Sequence, residues 1–130
     1  MVQLKNLKSV WIGLCVVAAV VSGTVFARTP ALLNQESTIS LGELPKQGVQ
    51  TYTLIQQGGP FASERDGVVF GNRERLLPLE KRGYYLEYTV PTPGLRHRGA
   101  KRIVCGGKPR TPDVCYYTAD HYASFRKIQP

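Results

Sequence analysis

Acidic residues are scarce in this chain: 9 Asp and Glu stand against 17 Lys and Arg, a formal net charge of +8. Such a surplus carries no information about fold. It concentrates polyanions near the surface, which puts nucleic acid and anionic membranes first among partners, although exported proteins are often simply basic. Length is modest too. At 130 residues the chain has room for one ordinary domain, and large nucleotide-binding folds and eight-fold barrels, which need roughly 200 or more residues, are excluded. Cysteine is reduced to three positions, with no C-x-x-C and no neighbouring His at zinc-ligand spacing, so nothing points to a metal or a cofactor.

The long charge-free run is confined to the amino end. Met1 to Leu7 is short and carries Lys5, Lys8 follows, and Val10 to Val21 is apolar throughout, the order of a charged n-region and an h-region. Val25-Phe26-Ala27 offers small residues or Val at the third and first positions before a cut, which places signal-peptidase cleavage after Ala27. A retained anchor is the rival, since Val10 to Ala27 is 18 residues long, near the lower limit for a membrane span. No positive cluster stronger than Arg28 follows it, which favours cleavage. The expected product is therefore residues 28–130, exported, monomeric and without a membrane segment. Cys15 is lost with the signal. Cys105 and Cys115 remain, and an even count in an exported chain favours a disulfide between them.

The remaining chain reads as helix first and sheet after. Residues 28–43 are expected to be a loosely ordered leader. Leu44 to Gln57 is expected to be the one helix, with Pro45 in its first turn, Val49, Tyr52 and Ile55 on its apolar face, and Gly58-Gly59-Pro60 as its stop. From Gly67 the pattern changes to short strand-like runs: Val68 to Phe70, Tyr84 to Val90, Gly99 to Cys105, Val114 to Thr118 and Tyr122 to Ile128. Turns at Pro91-Thr92-Pro93-Gly94 and Gly106-Gly107-Lys108-Pro109 separate them, the second joining two strands as a hairpin. The fold class is α+β, one amino-terminal helix packed on a four- to five-stranded antiparallel sheet whose other face is open to water.

Alternation assigns side chains to the two faces. Tyr84, Leu86, Tyr88 and Val90 share the core face, so Glu87 points to the other; Ile103 and Cys105 face the core, so Arg102 lies opposite, on the side of Ala100 and Arg98. One carboxylate and two guanidiniums thus converge on the open face. A cross-strand surface ion pair would look the same and be worth only a few tenths of a kcal/mol.

Four motifs go further: Asp66-Gly67-Val68-Val69-Phe70-Gly71-Asn72-Arg73-Glu74, Gly83 to Val90, Arg98 to Ile103, and Asp120-His121-Tyr122-Ala123-Ser124-Phe125. In this order and spacing the stretch Gly58 to Ile128 resembles the small secreted guanyl-specific ribonucleases of bacteria, the barnase-like microbial ribonucleases. The resemblance implies that Glu87 is the general base, His121 the general acid, and Arg98 and Arg102 the phosphate clamp. It implies that Phe70, the backbone of Gly71, Asn72 and Arg73, the Glu74 carboxylate and the Tyr122 ring receive the guanine base. Gly71 departs from the bulkier polar residue of some relatives. The expected function is metal-independent cleavage of single-stranded RNA after guanosine through a 2′,3′-cyclic phosphate, with a small acidic barstar-like inhibitor as the partner the resemblance suggests. A non-catalytic RNA-binding module or toxin domain on the same scaffold is the competing class. It has no use for Glu87, whose charge repels phosphate. His97, Arg96 and Lys101 read as solvated loop residues or weak phosphate contacts.

Overall fold

The structure is a computed structural model and describes residues 36–130; the expected signal segment (1–27) and residues 28–35 lie outside the described residues. Helix α1 spans Lys46–Gln57, with Pro45 as its N-cap residue, and Gly58 ends it in the left-handed conformation (φ 83°) that glycine adopts without steric cost. The six strands are β1 (Thr38–Ser40), β2 (Val68–Val69), β3 (Tyr85–Thr89), β4 (Arg102–Gly107), β5 (Pro112–Thr118) and β6 (Arg126–Gln129). They form one sheet in the order β1-β6-β5-β4-β3-β2.

The sheet is mixed and has one strand more than the sequence pattern predicts. Strand β1 pairs parallel with β6, Ile39 beside Ile128, while all other pairs are antiparallel. The supposed leader is therefore ordered from β1 onward, and Ile39 is buried in the main core. Strand β6 is shorter than expected, because His121 and Tyr122 hold φ of 53° and 70°, which no strand accommodates.

Two cores sandwich the sheet. Ile55 of α1 packs with Tyr88, Val90, Ile103, Cys105, Cys115, Tyr117 and Ile128, the face that alternation predicts. The residues of α1 that bury themselves are Gly48, Thr51 and Ile55, with Val49 and Tyr52 only half-buried at the edge of that core. Small Gly48 and Thr51 bring the helix backbone close to the sheet, and the Thr51 hydroxyl donates to the Thr89 carbonyl at 3.2 Å. The other face is not open along its length. Leu77, Tyr85, Val104 and Tyr116 form a second core there, with Phe70, Tyr84, Tyr122 and Phe125 packed against it. Tyr84 thus joins this face, against expectation, because its ring lies over Gly106, where any Cβ would collide with it.

Cys105 and Cys115 are directly opposite on β4 and β5 and form the expected disulfide, Cα–Cα 4.1 Å, closing a loop of sequence separation 10. In the chain-entropy view so short a loop stabilises by about 2.5–3 kcal/mol. Reduction is expected to lower the melting temperature by roughly 10–20 °C for a domain of about 100 residues, with the folded circular-dichroism spectrum retained at 25 °C. Calorimetry with and without reductant measures this, and an unchanged melting temperature would contradict it.

Candidate active site

Strand β3 positions the central carboxylate. Glu87 pairs with Val104 on β4 and Val68 on β2, so it stands in the middle of the sheet face that bears the second core. Its side chain is only 13 % exposed, with Arg98 Nη2 at 3.6 Å from Oε1 and the Tyr122 hydroxyl donating to Oε2 at 2.9 Å. The first contact is an ion pair without hydrogen-bond geometry, so it does not saturate the guanidinium. Burial, then the hydrogen bond to Glu87, push the Tyr122 phenol above its ordinary pKa, which keeps it a donor at neutral pH.

The two arginines are held differently. Arg98 Nε donates to Thr89 Oγ1 at 2.9 Å, which anchors the guanidinium at the far end of β3. Arg102 is not on an exposed face as the alternation suggests, for it is 2 % exposed. The loop after β5 covers it, with the Tyr122 ring 5.9 Å from the guanidinium carbon, and Arg102 Nη1 donates to the carbonyls of Lys101 (2.8 Å) and Arg98 (3.4 Å). Arg102 Nε and Arg98 Nη2 are buried without a hydrogen-bond partner among the described residues. Unsatisfied buried donors cost about 1–3 kcal/mol each, more when charged, and an anion entering beside Glu87 would recover that.

His121 reaches this region on an exposed turn whose amide donates to Ala100 O at 3.1 Å. Two consecutive non-glycine residues with positive φ need an external clamp. Thr118, 1 % exposed, supplies one half of it: its Oγ1 accepts from the amides of Tyr122 (3.1 Å) and Asp120 (3.4 Å). Asp120 supplies the other, accepting from Thr118 Oγ1 (2.8 Å), the Ser124 amide (2.9 Å) and the Ser124 hydroxyl. The hydrogen bonds from Ser124 and Thr118 hold the Asp120 carboxyl below its ordinary range. Sequence reasoning quotes these residues without recognising the clamp; Thr and Asp just before a turn, with Ser beyond it, are the signal that could have revealed it.

The residues expected to receive the base lie together. Phe70, Gly71, Asn72, Arg73, Glu74, His121 and Tyr122 line one cavity of about 500 Å³, and Leu76, Ala123 and Phe125, which the sequence reading assigns no role, complete it. Phe70 and Tyr122 stack with ring centroids 5.1 Å apart, making a common wall. Asn72 commits its side chain to the loop: Oδ1 accepts from the Leu77 amide at 3.1 Å and Nδ2 donates to the Leu77 carbonyl at 2.9 Å. Its backbone alone is left for a ligand. Glu74 is exposed and makes no ion pair with Arg73 or Arg75 among the described residues, so its carboxylate is free to accept from a ligand.

Asp120→Asn is expected to lower activity through His121 placement, with kcat/KM down roughly tenfold, about 1.4 kcal/mol, and little change in KM. The charge supports the turn above the ordinary carboxylate pKa, and that support is lost as pH falls through the lowered value, so the variant should lose less activity than the natural enzyme on acidification. A pH profile in which variant and natural enzyme keep a constant ratio would contradict this.

Comparison with known proteins shows the family. The ribonuclease family's sequence model matches residues 27–129. Guanyl-specific ribonuclease Sa3 of Kitasatospora aureofaciens is 56 % identical over 85 residues, 65 % of this chain and 58 % of that protein, so the chain spans less than two thirds of that relative. Guanyl-specific ribonuclease Sa of the same organism is 50 % identical over 91 residues, 70 % of this chain and 92 % of that one. Among solved structures, ribonuclease Sa2 with mononucleotides superimposes with a TM-score of 0.67 at 45 % identity, covering 72 % of this chain and 94 % of that one, and a second Sa2 structure holds guanosine-2′-cyclophosphate. The chain belongs to the microbial guanyl-specific ribonuclease family.

Proposed function

We propose that this protein is a secreted, metal-independent endoribonuclease that cleaves single-stranded RNA on the 3′ side of guanosine. The observation that carries the reading is the half-buried Glu87 carboxylate beside Arg98, with buried guanidinium donors of Arg98 and Arg102 that have no hydrogen-bond partner among the described residues, next to a cavity lined by His121. Glu87 takes the proton of the 2′-hydroxyl, whose oxygen attacks phosphorus. Arg98 and Arg102 meet the charge that builds on the phosphoryl oxygens, and His121, as imidazolium, protonates the departing 5′-oxygen. The products are a 2′,3′-cyclic phosphate and a free 5′-hydroxyl. In the second step neutral His121 takes a proton from water, water attacks phosphorus, and protonated Glu87 returns its proton to the 2′-oxygen. A carboxylate, two fixed cations and an imidazole cover every proton and charge in both steps, so no metal is needed. DNA lacks the 2′-hydroxyl and is inert. The cyclic guanosine nucleotide held by the relative Sa2 supports the same intermediate here.

The disulfide and the amino-terminal n-region and h-region support export. The cationic site face suits a small acidic inhibitor in the producing cell, and one site per chain needs no oligomer.

Glu87→Gln and His121→Ala are each expected to cut turnover by about 10²–10⁴, and the pH profile of the natural enzyme to be bell-shaped, one limb requiring ionised Glu87 and the other protonated His121. Near-normal activity of His121→Ala on a guanosine dinucleotide would overturn the assignment.

Specificity rests on Glu74. Its carboxylate accepts from both N1–H and the 2-amino group of guanine, whereas adenine presents a lone pair at N1 and no 2-amino group. Each charge-assisted bond contributes roughly 1.5–3 kcal/mol, so guanosine should be preferred by several orders of magnitude. Glu74→Gln should collapse the guanosine-to-adenosine ratio of kcat/KM. A ratio unchanged by the substitution would move recognition to the loop amides of Gly71 to Arg73.

A further inference from the structure

Three of the four groups assigned to the reaction meet in one short turn, residues 97–101. Arg98 belongs to it. The carbonyls of Arg98 and Lys101 receive Arg102 Nη1 at 3.4 and 2.8 Å, and the carbonyl of Ala100 receives the His121 amide at 3.1 Å. The shape of this turn therefore sets the spacing of both arginines and the imidazole. It lies outside every helix and strand, so no ladder of backbone hydrogen bonds holds it. At Gly99 its backbone takes a φ of 64°, the left-handed conformation, and a Cβ there would stand 2.9 Å from Thr92 Oγ1.

What fastens the turn is a side chain that the reaction does not use. His97 Nδ1 accepts from the Gly99 amide at 3.0 Å, and that amide has no other partner among the described residues. A side chain bonded to the amide two residues on is the arrangement of an Asx turn, with an imidazole nitrogen in place of the usual carbonyl oxygen. The two acceptors differ in one respect. A ring nitrogen accepts only in the neutral imidazole, and in the imidazolium both nitrogens are donors. Protonated His97 would turn an N–H toward the Gly99 N–H, and the bond would be lost. The charged groups lining the cavity beside His97 are Arg96 and Arg98 of its own segment and Asp66 of the loop before β2; α1 contributes only Thr51 and Leu54 there. The Asp66 carboxylate is engaged by the Thr89 amide at 2.7 Å and the Ser63 amide at 3.3 Å, and His97 makes no ion pair among the described residues.

We infer that His97 is a positioning residue for the phosphate clamp: when neutral, its Nδ1 holds the Gly99 amide and with it the turn that spaces Arg98, Arg102 and His121, and when protonated it releases that turn. The inference rests on the ribonuclease reading for what the clamp does, and two readouts separate them. One is affinity for inorganic phosphate, measured by calorimetry, which needs no turnover. The other is kcat/KM on a guanylyl dinucleotide. His97→Asn keeps an acceptor two residues before Gly99 at every pH, and His97→Ala removes it; the position is exposed, so neither variant touches a core. Loss of one such hydrogen bond is expected to weaken both readouts roughly three- to tenfold. Histidine changes charge between about pH 5 and 8, so the natural protein should match His97→Asn at the upper end of that range and His97→Ala at the lower. Each comparison is made at one pH, so that titration of Glu87, His121 and phosphate cancels. Asn and Ala variants that agree at both ends, or a natural-to-Asn ratio that stays constant between them, would overturn the positioning role. Failure of the natural protein to bind phosphate at the upper end would overturn the clamp and the positioning together. Failure to cleave the dinucleotide, with the phosphate ratios as expected, would overturn the ribonuclease reading alone.

Discussion

In the proposed reaction a carboxylate has to sit within reach of a phosphate, and the site depends on how Glu87 is held. Left to Coulomb's law alone, Glu87 and the arginines would close into a saturated ion pair and exclude substrate. The sheet prevents this by giving each group a separate anchor. Tyr122 occupies one carboxylate oxygen, Thr89 takes the Nε of Arg98, and the carbonyls of Arg98 and Lys101 take one nitrogen of Arg102. What remains is a 3.6 Å contact from Arg98 Nη2, and neither that nitrogen nor Arg102 Nε has a hydrogen-bond partner among the described residues. Charge is stored in the free protein and becomes useful when an anion arrives, the general logic of preorganised electrostatics.

The same arrangement explains why the face carrying the site is partly apolar. Tyr122 is both the phenol on Glu87 and the ring over Arg102, and it stacks on Phe70, which packs edge-on against Phe125. The second core thus serves as the wall of the base cavity and as the cover that lowers the dielectric around the arginine. Helix α1 has no side chain in the catalytic group; it buries the opposite face and holds Thr89 through Thr51.

Much of this was legible in the sequence, and the parts that were share a cause. The facing of Glu87 and Arg102 against Tyr88 and Ile103 depends on the two-residue period of a strand, which a single segment displays. The stop of α1 at Gly58 and the pairing of Cys105 with Cys115 are equally local. What escaped depends on distant partners or on backbone conformation that the residue type does not announce. Thr38-Ile39-Ser40 has no pattern of its own and becomes a strand only because β6 offers it an edge. His121 and Tyr122 are poor candidates for left-handed geometry, and only the Thr118 and Asp120 hydrogen bonds make it affordable. Tyr84 and Tyr85 look alike in the sequence, and packing over Gly106 decides where the first of them goes.

The parallel seam between β1 and β6 has a bearing on the cell that makes such an enzyme. It joins the first strand in chain order to the last, so Ile39 and Ile128 meet across nearly the whole described sequence. The segment just before β6 also carries His121, the proposed general acid, with Tyr122 and Phe125, which line the same cavity. A chain synthesised only as far as β5 lacks both the strand that joins β1 to the sheet and the proposed general acid. Loop closure over so long a separation comes late in folding, because the entropy of the intervening chain has to be overcome first. Hydrolytic capacity is thereby deferred until β6 has been made, which shortens the time during which an active nuclease and the messenger encoding it share one compartment.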